Sequence, residues 1–279
     1  MYKSFNDKGL EPGRNLFGYD KYCPSRGTGR FEDVFKCDIV FSALPTQYNI
    51  DDGKYEKDST YETCDRLVEG GFKGVFVIKS TVEPGTTSEL SKRYPSMHFI
   101  HNPEFLTART AYHDFHNQFH IILGKGDTCP AEKMMKLKKF YSRYYPDAEI
   151  SLSSSLESES MKVFANCFYA MKVQIFTEYH QLCEKMGCDY NNVKKMMIKN
   201  RWINPMHTTV PGPDGKISYG GLCFPKDTNA LLMYMKLHNS PHEVLEATIR
   251  ERNSMRDDHD NCKSSNDPDT IDHKIDMYK

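Results

Sequence analysis

The 279 residues carry 37 Lys and Arg against 38 Asp and Glu, a net charge of −1 that excludes the basic surface of a nucleic-acid binder. No apolar run is long enough to span a membrane, and Met1–Lys8 has no apolar signal core. Nine cysteines, odd in number and without a C-x-x-C pair, argue against a disulfide framework or a zinc site, so no metal is expected and a reducing, cytoplasmic setting fits.

In chain order, the first half alternates strand-like and helix-like segments. Asn15–Asp20 is a short apolar run ending in an acid, and Cys37–Leu44 is a buried-type strand closed by Pro45 and Thr46. Thr60–Glu69 reads as a helix, and Gly74–Ser80 as a second buried strand. Met97–His101, Phe119–Gly124 and Ala148–Leu152 follow as strands, with a helix over Ala131–Tyr141. Near-continuous apolar strands are expected where helices cover both faces of a parallel sheet, so this half predicts an α/β doubly wound domain.

The second half is helical. Met161, Phe164, Ala165, Phe168, Met171, Ile175, Tyr179, Leu182 and Met186 recur at steps of three and four, which predicts one long helix over Glu157–Met186 closed by Gly187. Further helices are predicted over Tyr190–Lys199, Thr228–Leu237 and Pro241–Met255, with a Pro/Gly-rich loop at 210–215. The expected division is residues 1–155, residues 156–256, and a charged, disordered tail over 257–279.

Four places carry chemistry-bearing residues. In Tyr219-Gly220-Gly221-Leu222-Cys223-Phe224-Pro225-Lys226-Asp227 a cysteine stands between two glycines and a Lys-Asp pair. A nearby cation favours the reactive thiolate, so Cys223 is a candidate nucleophile, although a buried structural cysteine in an ordinary turn is the alternative. Glu159, Lys162 and Asn166 share one helix face, either a solvated stripe or an oxyanion-holding pair. Lys79–Thr86 follows a strand at the carboxyl edge where open α/β sheets bind ligands, or is only a helix cap and turn. Glu104, in Asn102-Pro103-Glu104-Phe105-Leu106, is either a surface acid or a general base.

Five runs in order and spacing carry a resemblance: CDIVFSALPT (37–46), IKSTVEPGT (78–86), NPEFLT (102–107), SESMKVFAN (158–166) and VPGPDGKISYGGLCFPKD (210–227). With them the chain, from about residue 15 to about 256, resembles the UDP-glucose/GDP-mannose dehydrogenase family. The resemblance implies a Rossmann-like NAD-binding sheet, here incomplete, followed by an all-helical central domain whose long helix forms a homodimer. It implies two-step oxidation of a sugar-nucleotide C6 alcohol by NAD, with UDP-glucose the favoured substrate and Cys223 the nucleophile. Lys162 and Asn166 would hold the oxyanion, Glu104 would serve as base, and Asp227 with Lys162 would orient water. Thr81 would hold water and the nicotinamide end. Asp20, Pro45, Thr46, Thr81 and Lys226 would contact the cofactor. Glu104, Phe105, Leu106, Lys162, Asn166, Tyr219, Gly220 and Gly221 would line the substrate. The family's opening G-x-G-x-x-G turn does not occur in this sequence, and Met1–Phe5 reads as the end of the helix that would follow it. Weak or absent NAD binding is therefore expected unless another element substitutes, and the alternative function is that of a catalytically silent relative or fragment serving as a dimerisation or binding module. The family's C-terminal nucleotide-binding domain has no counterpart in this sequence.

Overall fold

A computed structural model describes residues 1–23, 29–49 and 51–258. The tail expected over 257–279 lies, beyond Asp258, outside the described residues. The chain forms two compact units, residues 1–46 with 56–161, and residues 47–55 with 162–258.

The first unit is built on a five-stranded sheet of β1 (Ile39–Ser42), β4 (Val75–Ile78), β5 (His98–His101), β6 (His120–Lys125) and β7 (Glu149–Ser154), in that spatial order. All neighbours run parallel except β5 and β6, which pair antiparallel through Ile100 and His101. Alternate residues of β4 feed opposite cores. Val75 and Val77 join Phe115, Leu137 and Tyr141, under α4 (Ala111–His116) and α5 (Ala131–Tyr144). Phe76 and Ile78 join Leu67 and Leu90, under α2 (Asp58–Glu69) and α3 (Thr86–Arg93). A strand covered on both faces has no polar side to show, which is why its sequence reads as an unbroken apolar run. α1 (Tyr2–Asp7) adds Phe5 to the first core.

The strand expected over 15–20 does not form; only an isolated bridge joins Pro12 and Leu16. Among the described residues no strand lies against the outer edge of β1, so this segment has no ladder to join. The same edge leaves three of the four β1 residues half-buried, against a fully buried β4.

The second unit contains a small hairpin, β2 (Tyr48–Asn49) and β3 (Lys54–Tyr55), which the sequence reading did not anticipate. Its helices are α6 (Ser155–Met186, from residue 162), α7 (Tyr190–Lys199), α8 (Phe224–Leu237) and α9 (Glu243–Met255). α6 ends in a Schellman cap. The Cys188 N–H donates to the Cys183 carbonyl at 3.0 Å and Gly187 adopts φ +71°. α8 begins one turn before the predicted Thr228. Pro225 is tolerated in a first turn, where its missing N–H costs nothing, so Phe224–Asp227 is helix rather than loop. Val163, Cys167, Leu231, Leu232, Leu245 and Ile249 form the core shared by α6, α8 and α9.

Candidate active site

The sequence-selected residues fall into two groups, one on each unit. In the second unit the organising group is the Asp227 carboxylate, in the first turn of α8 and fully buried. Its Oδ1 accepts from the Tyr55 hydroxyl at 2.6 Å and from Lys226 Nζ at 2.5 Å. Its Oδ2 accepts from Asn166 Nδ2 at 2.6 Å. That bond turns the Asn166 carbonyl towards Lys162, whose Nζ donates to it at 3.3 Å. Lys162, Asn166, Asp227 and Lys226 thus form one continuous chain. A buried carboxylate is stable only when paired and hydrogen-bonded, and here every partner is a side chain.

The solvated-stripe reading of the α6 face is overturned, because Lys162 and Asn166 are buried. Glu159 does not pair with Lys162; it caps α3, accepting from the N–H groups of Gly85 and Thr87 at 2.7 Å and from the Thr87 hydroxyl at 2.5 Å. Burial pushes its carboxyl above the ordinary range, against the opposing pull of those three donors.

Cys223 is exposed and is the N-cap residue of α8, and its carbonyl accepts from Asp227 N at 2.9 Å. A thiol at a helix N-terminus gains thiolate character from the unsatisfied N–H groups there. Cys167 offers the contrast within the same unit. It is buried, donates to the Asp227 carbonyl, and its thiol is pushed far up by burial and by the Asp227 carboxylate. Tyr219 is buried with its hydroxyl 3.5 Å from Thr228 Oγ1, and Gly221 adopts φ +78°, a value that favours glycine.

In the first unit the candidates cluster at the carboxyl ends of β1 and β4. Thr46 Oγ1 donates to the Thr81 carbonyl at 2.7 Å, and Ser80 Oγ donates to the Leu44 carbonyl at 2.5 Å, so the two loops are sewn together beside exposed Pro45. Beyond β5, Asn102 is buried; its Nδ2 donates to the Ile122 carbonyl at 2.8 Å. Its Oδ1 accepts from the Tyr141 hydroxyl and from buried Lys79 at 3.0 Å. This anchor carries half-buried Glu104, with Phe105 stacked on the His120 ring and Leu106 against the first core.

Asp20 borders an open cavity of about 380 Å³ lined also by Tyr19, Lys21, Arg30, Phe31 and Arg66. Its Oδ1 closes a turn, accepting from Tyr22 and Cys23 N–H. A carboxylate for ribose hydroxyls beside aromatic and guanidinium groups fits the adenosine half of a dinucleotide. The glycine-rich turn that would take the pyrophosphate is the part the sequence does not supply. Among the described residues no three His, Cys, Asp or Glu side chains could hold a metal ion, and no helix is long and apolar enough to cross a membrane.

Sequence reasoning did not single out Tyr55 or His207. Tyr55 reaches Asp227 from 172 positions away. His207 has φ +66°, stacks on Tyr169 at 4.7 Å and meets the Phe224 ring at 5.7 Å.

A mostly parallel sheet covered on both faces, with loops gathered at its strand ends, is the architecture of the doubly wound α/β nucleotide-binding class. Residues 26–144 match the NAD binding domain and residues 156–254 the central domain of the UDP-glucose/GDP-mannose dehydrogenase family, and the chain belongs to that family. It is 28% identical over 225 residues to UDP-glucose 6-dehydrogenase of Rhizobium meliloti, covering 77% of this chain and 50% of that protein. It is 30% identical to the Rickettsia bellii enzyme of the same name, covering 78% and 50%. Among solved structures, a UDP-glucose dehydrogenase from Pyrobaculum islandicum superposes with a TM-score of 0.69 at 24% identity, over 81% of this chain and 52% of that one, a likeness of fold. The chain therefore spans about half the length of the curated relatives it matches.

Proposed function

We propose that this chain takes part in NAD-dependent oxidation of a nucleotide sugar, UDP-glucose foremost, at the sugar C6 carbon, with Cys223 as the covalent nucleophile. The observation that carries the reading is exposed Cys223 at the N-cap position of the helix whose first turn holds Asp227, itself tied to Lys226 and, through Asn166, to Lys162. When bound, NAD+ accepts one hydride in each of two oxidations. Lys162 and the second Asn166 amide hydrogen stabilise the negative charge that develops on the C6 oxygen. The Cys223 thiolate adds to the C6 aldehyde to give a thiohemiacetal, a better hydride donor than the aldehyde, and the second oxidation leaves a thioester. Water then releases the acid and returns the thiol, with Glu104 taking the water proton and Asp227 and Lys162 orienting it. Thr81 steadies that water and the nicotinamide end; Asp20, Pro45, Thr46 and Lys226 serve the cofactor. Phe105, Leu106, Tyr219, Gly220 and Gly221 line the sugar-nucleotide.

Residues 1–155 act as the NAD-binding domain and 156–256 as a central domain that dimerises in the cytoplasm. In support of a dimer, Phe164, Phe168, Leu182 and Met186 expose more than half their surface along α6, at 54%, 59%, 53% and 62%. The test is NADH release with UDP-glucose, expected at two per acid formed. Cys223→Ala should form no uronate, and acid formation at the wild-type rate in that variant would end the thioester reading.

A further inference from the structure

The Gly220-Gly221 approach to Cys223 is gripped from behind by two buried arginines of α9 and its C-cap. Arg252 and Arg256 are 2% and 5% exposed. Arg256 Nη1 donates to the carbonyls of Ile217 at 3.1 Å and Ser218 at 3.3 Å, and Arg252 Nε donates to the Tyr219 carbonyl at 3.1 Å. Three consecutive carbonyls are thus held by two guanidiniums. The guanidiniums are themselves fixed: Arg256 pairs with Asp214 at 2.5 Å and with Asp258 at 2.9 Å, and Arg252 pairs with Asp258. Asp214 belongs to the Val210–Gly215 loop, which gives that Pro/Gly-rich run a task.

The segment held this way is strained. Ser218 adopts φ +60°, uncommon for a residue with a side chain. α6 meets it from another side. The Ser218 N–H donates to Thr177 Oγ1 at 3.0 Å, and its hydroxyl donates to Gln174 Oε1 at 2.5 Å. Such a conformation persists only where its surroundings over-determine it, and strain of this kind collects where geometry matters for chemistry. Gly220 carries the same message. A Cβ there would lie 2.6 Å from Arg256 Cζ, and a guanidinium held by four partners cannot move aside.

We propose that Arg256, with Arg252 behind it, is a positioning residue that fixes Ser218–Gly221 and thereby the placement of the Cys223 thiol at the N-terminus of α8. This rests on the reading of Cys223 as nucleophile, yet its test does not need turnover. A thiol's reactivity depends on its placement against the helix N–H groups, and displacement of about 1 Å can cost up to ~100-fold in rate.

The experiment follows iodoacetamide alkylation of Cys223 by peptide mapping over about pH 6–9, the range that brackets an ordinary thiol. Cys188, the other cysteine exposed among the described residues, is the internal reference. Arg256→Lys keeps the charge but replaces the planar fork with a point donor that cannot serve two carbonyls and two carboxylates together. It should slow Cys223 roughly tenfold and move its pH midpoint upward, leaving Cys188 within about twofold. Asp214→Asn removes one anchor of the guanidinium at a partly exposed position, and should slow Cys223 by about threefold; it decides the matter if Arg256→Lys does not fold. Wild-type Cys223 rates and midpoints in the folded variants would overturn the proposal. A wild-type Cys223 no faster than Cys188 would instead count against the nucleophile reading, while slowing in the variants would still support the clamp.

Discussion

In the first unit the candidate residues are placed mainly by main-chain carbonyls. Thr46 and Thr81 meet through a hydroxyl and a carbonyl, Ser80 reaches the Leu44 carbonyl, and Glu104 follows an asparagine tied to the Ile122 carbonyl. In the second unit they are placed by one another. Asp227 binds Tyr55, Lys226 and Asn166, and Asn166 binds Lys162, all through side-chain atoms. A loop hung on a sheet survives loss of one side chain with a local adjustment. A buried carboxylate shared among three donors does not, because its loss leaves all three desolvated without their shared acceptor. The two designs therefore differ in how far damage spreads.

The largest effect should come from the centre of the side-chain network. Asp227→Ala leaves Lys226, the Tyr55 hydroxyl and the Asn166 amide without their shared acceptor. The expected cost is ~3–5 kcal/mol in denaturant unfolding. A loss under ~1 kcal/mol, within the range of a single neutral hydrogen bond, would erase the contrast between the units. The comparable test in the first unit is Lys79→Met, which removes a buried ammonium from Asn102 while the Tyr141 hydroxyl remains on the same oxygen. Here about 1.5–3 kcal/mol is expected, the range of a hydrogen bond to a charged group.

Much of this arrangement is legible in the sequence, and the illegible part has a common cause. β4 and β6 are readable because strands covered on both faces must be apolar throughout. α7 is readable from Asp189, whose carboxylate accepts from Asn191 N–H at 2.8 Å. The Cys223 run is readable because Gly, Pro and a charged pair are packed into a few positions. The β2–β3 hairpin is not, since two-residue strands carry no period; the Asp52-Gly53 pair was its one turn signal. Tyr55, Arg252 and Arg256 escape for another reason. Each acts across a long sequence gap on a partner selected by tertiary packing, and nothing in its immediate neighbours marks it. The strand expected over 15–20 fails because a ladder needs two members, a condition its own residues cannot express.

A milder test of the main-chain design is Thr46→Val, which keeps the shape of the side chain and removes its donor to the Thr81 carbonyl. About 1 kcal/mol should be lost, and NAD+ affinity by calorimetric titration should fall with it if that pair of loops faces the cofactor. An unchanged NAD+ affinity would remove Thr46 from the cofactor set. Micromolar NAD+ binding by the wild-type chain would in turn refute the weak binding expected without a glycine-rich turn.

The smallest effect, and the one that probes the second unit by pH, concerns His207. Burial, reinforced by the nearby Lys172 ammonium, holds its imidazole below the ordinary histidine range. The folded state therefore keeps His207 neutral at a pH where the unfolded chain, titrating near ~6.5, already binds a proton. Between the folded and unfolded values the unfolded state holds more protons, so stability rises with pH there. Its contribution is complete above the unfolded value and is lost as pH falls through it towards the lowered folded value. His207→Phe keeps a ring against Tyr169 and Phe224 and deletes the titration. The gap in denaturation midpoint between wild type and variant should narrow, in the wild type's disfavour, as pH drops from about 7.5 to about 5.5. A gap that stays constant over that range would mean His207 charges as readily folded as unfolded, and that the half-buried stack around it is open to water.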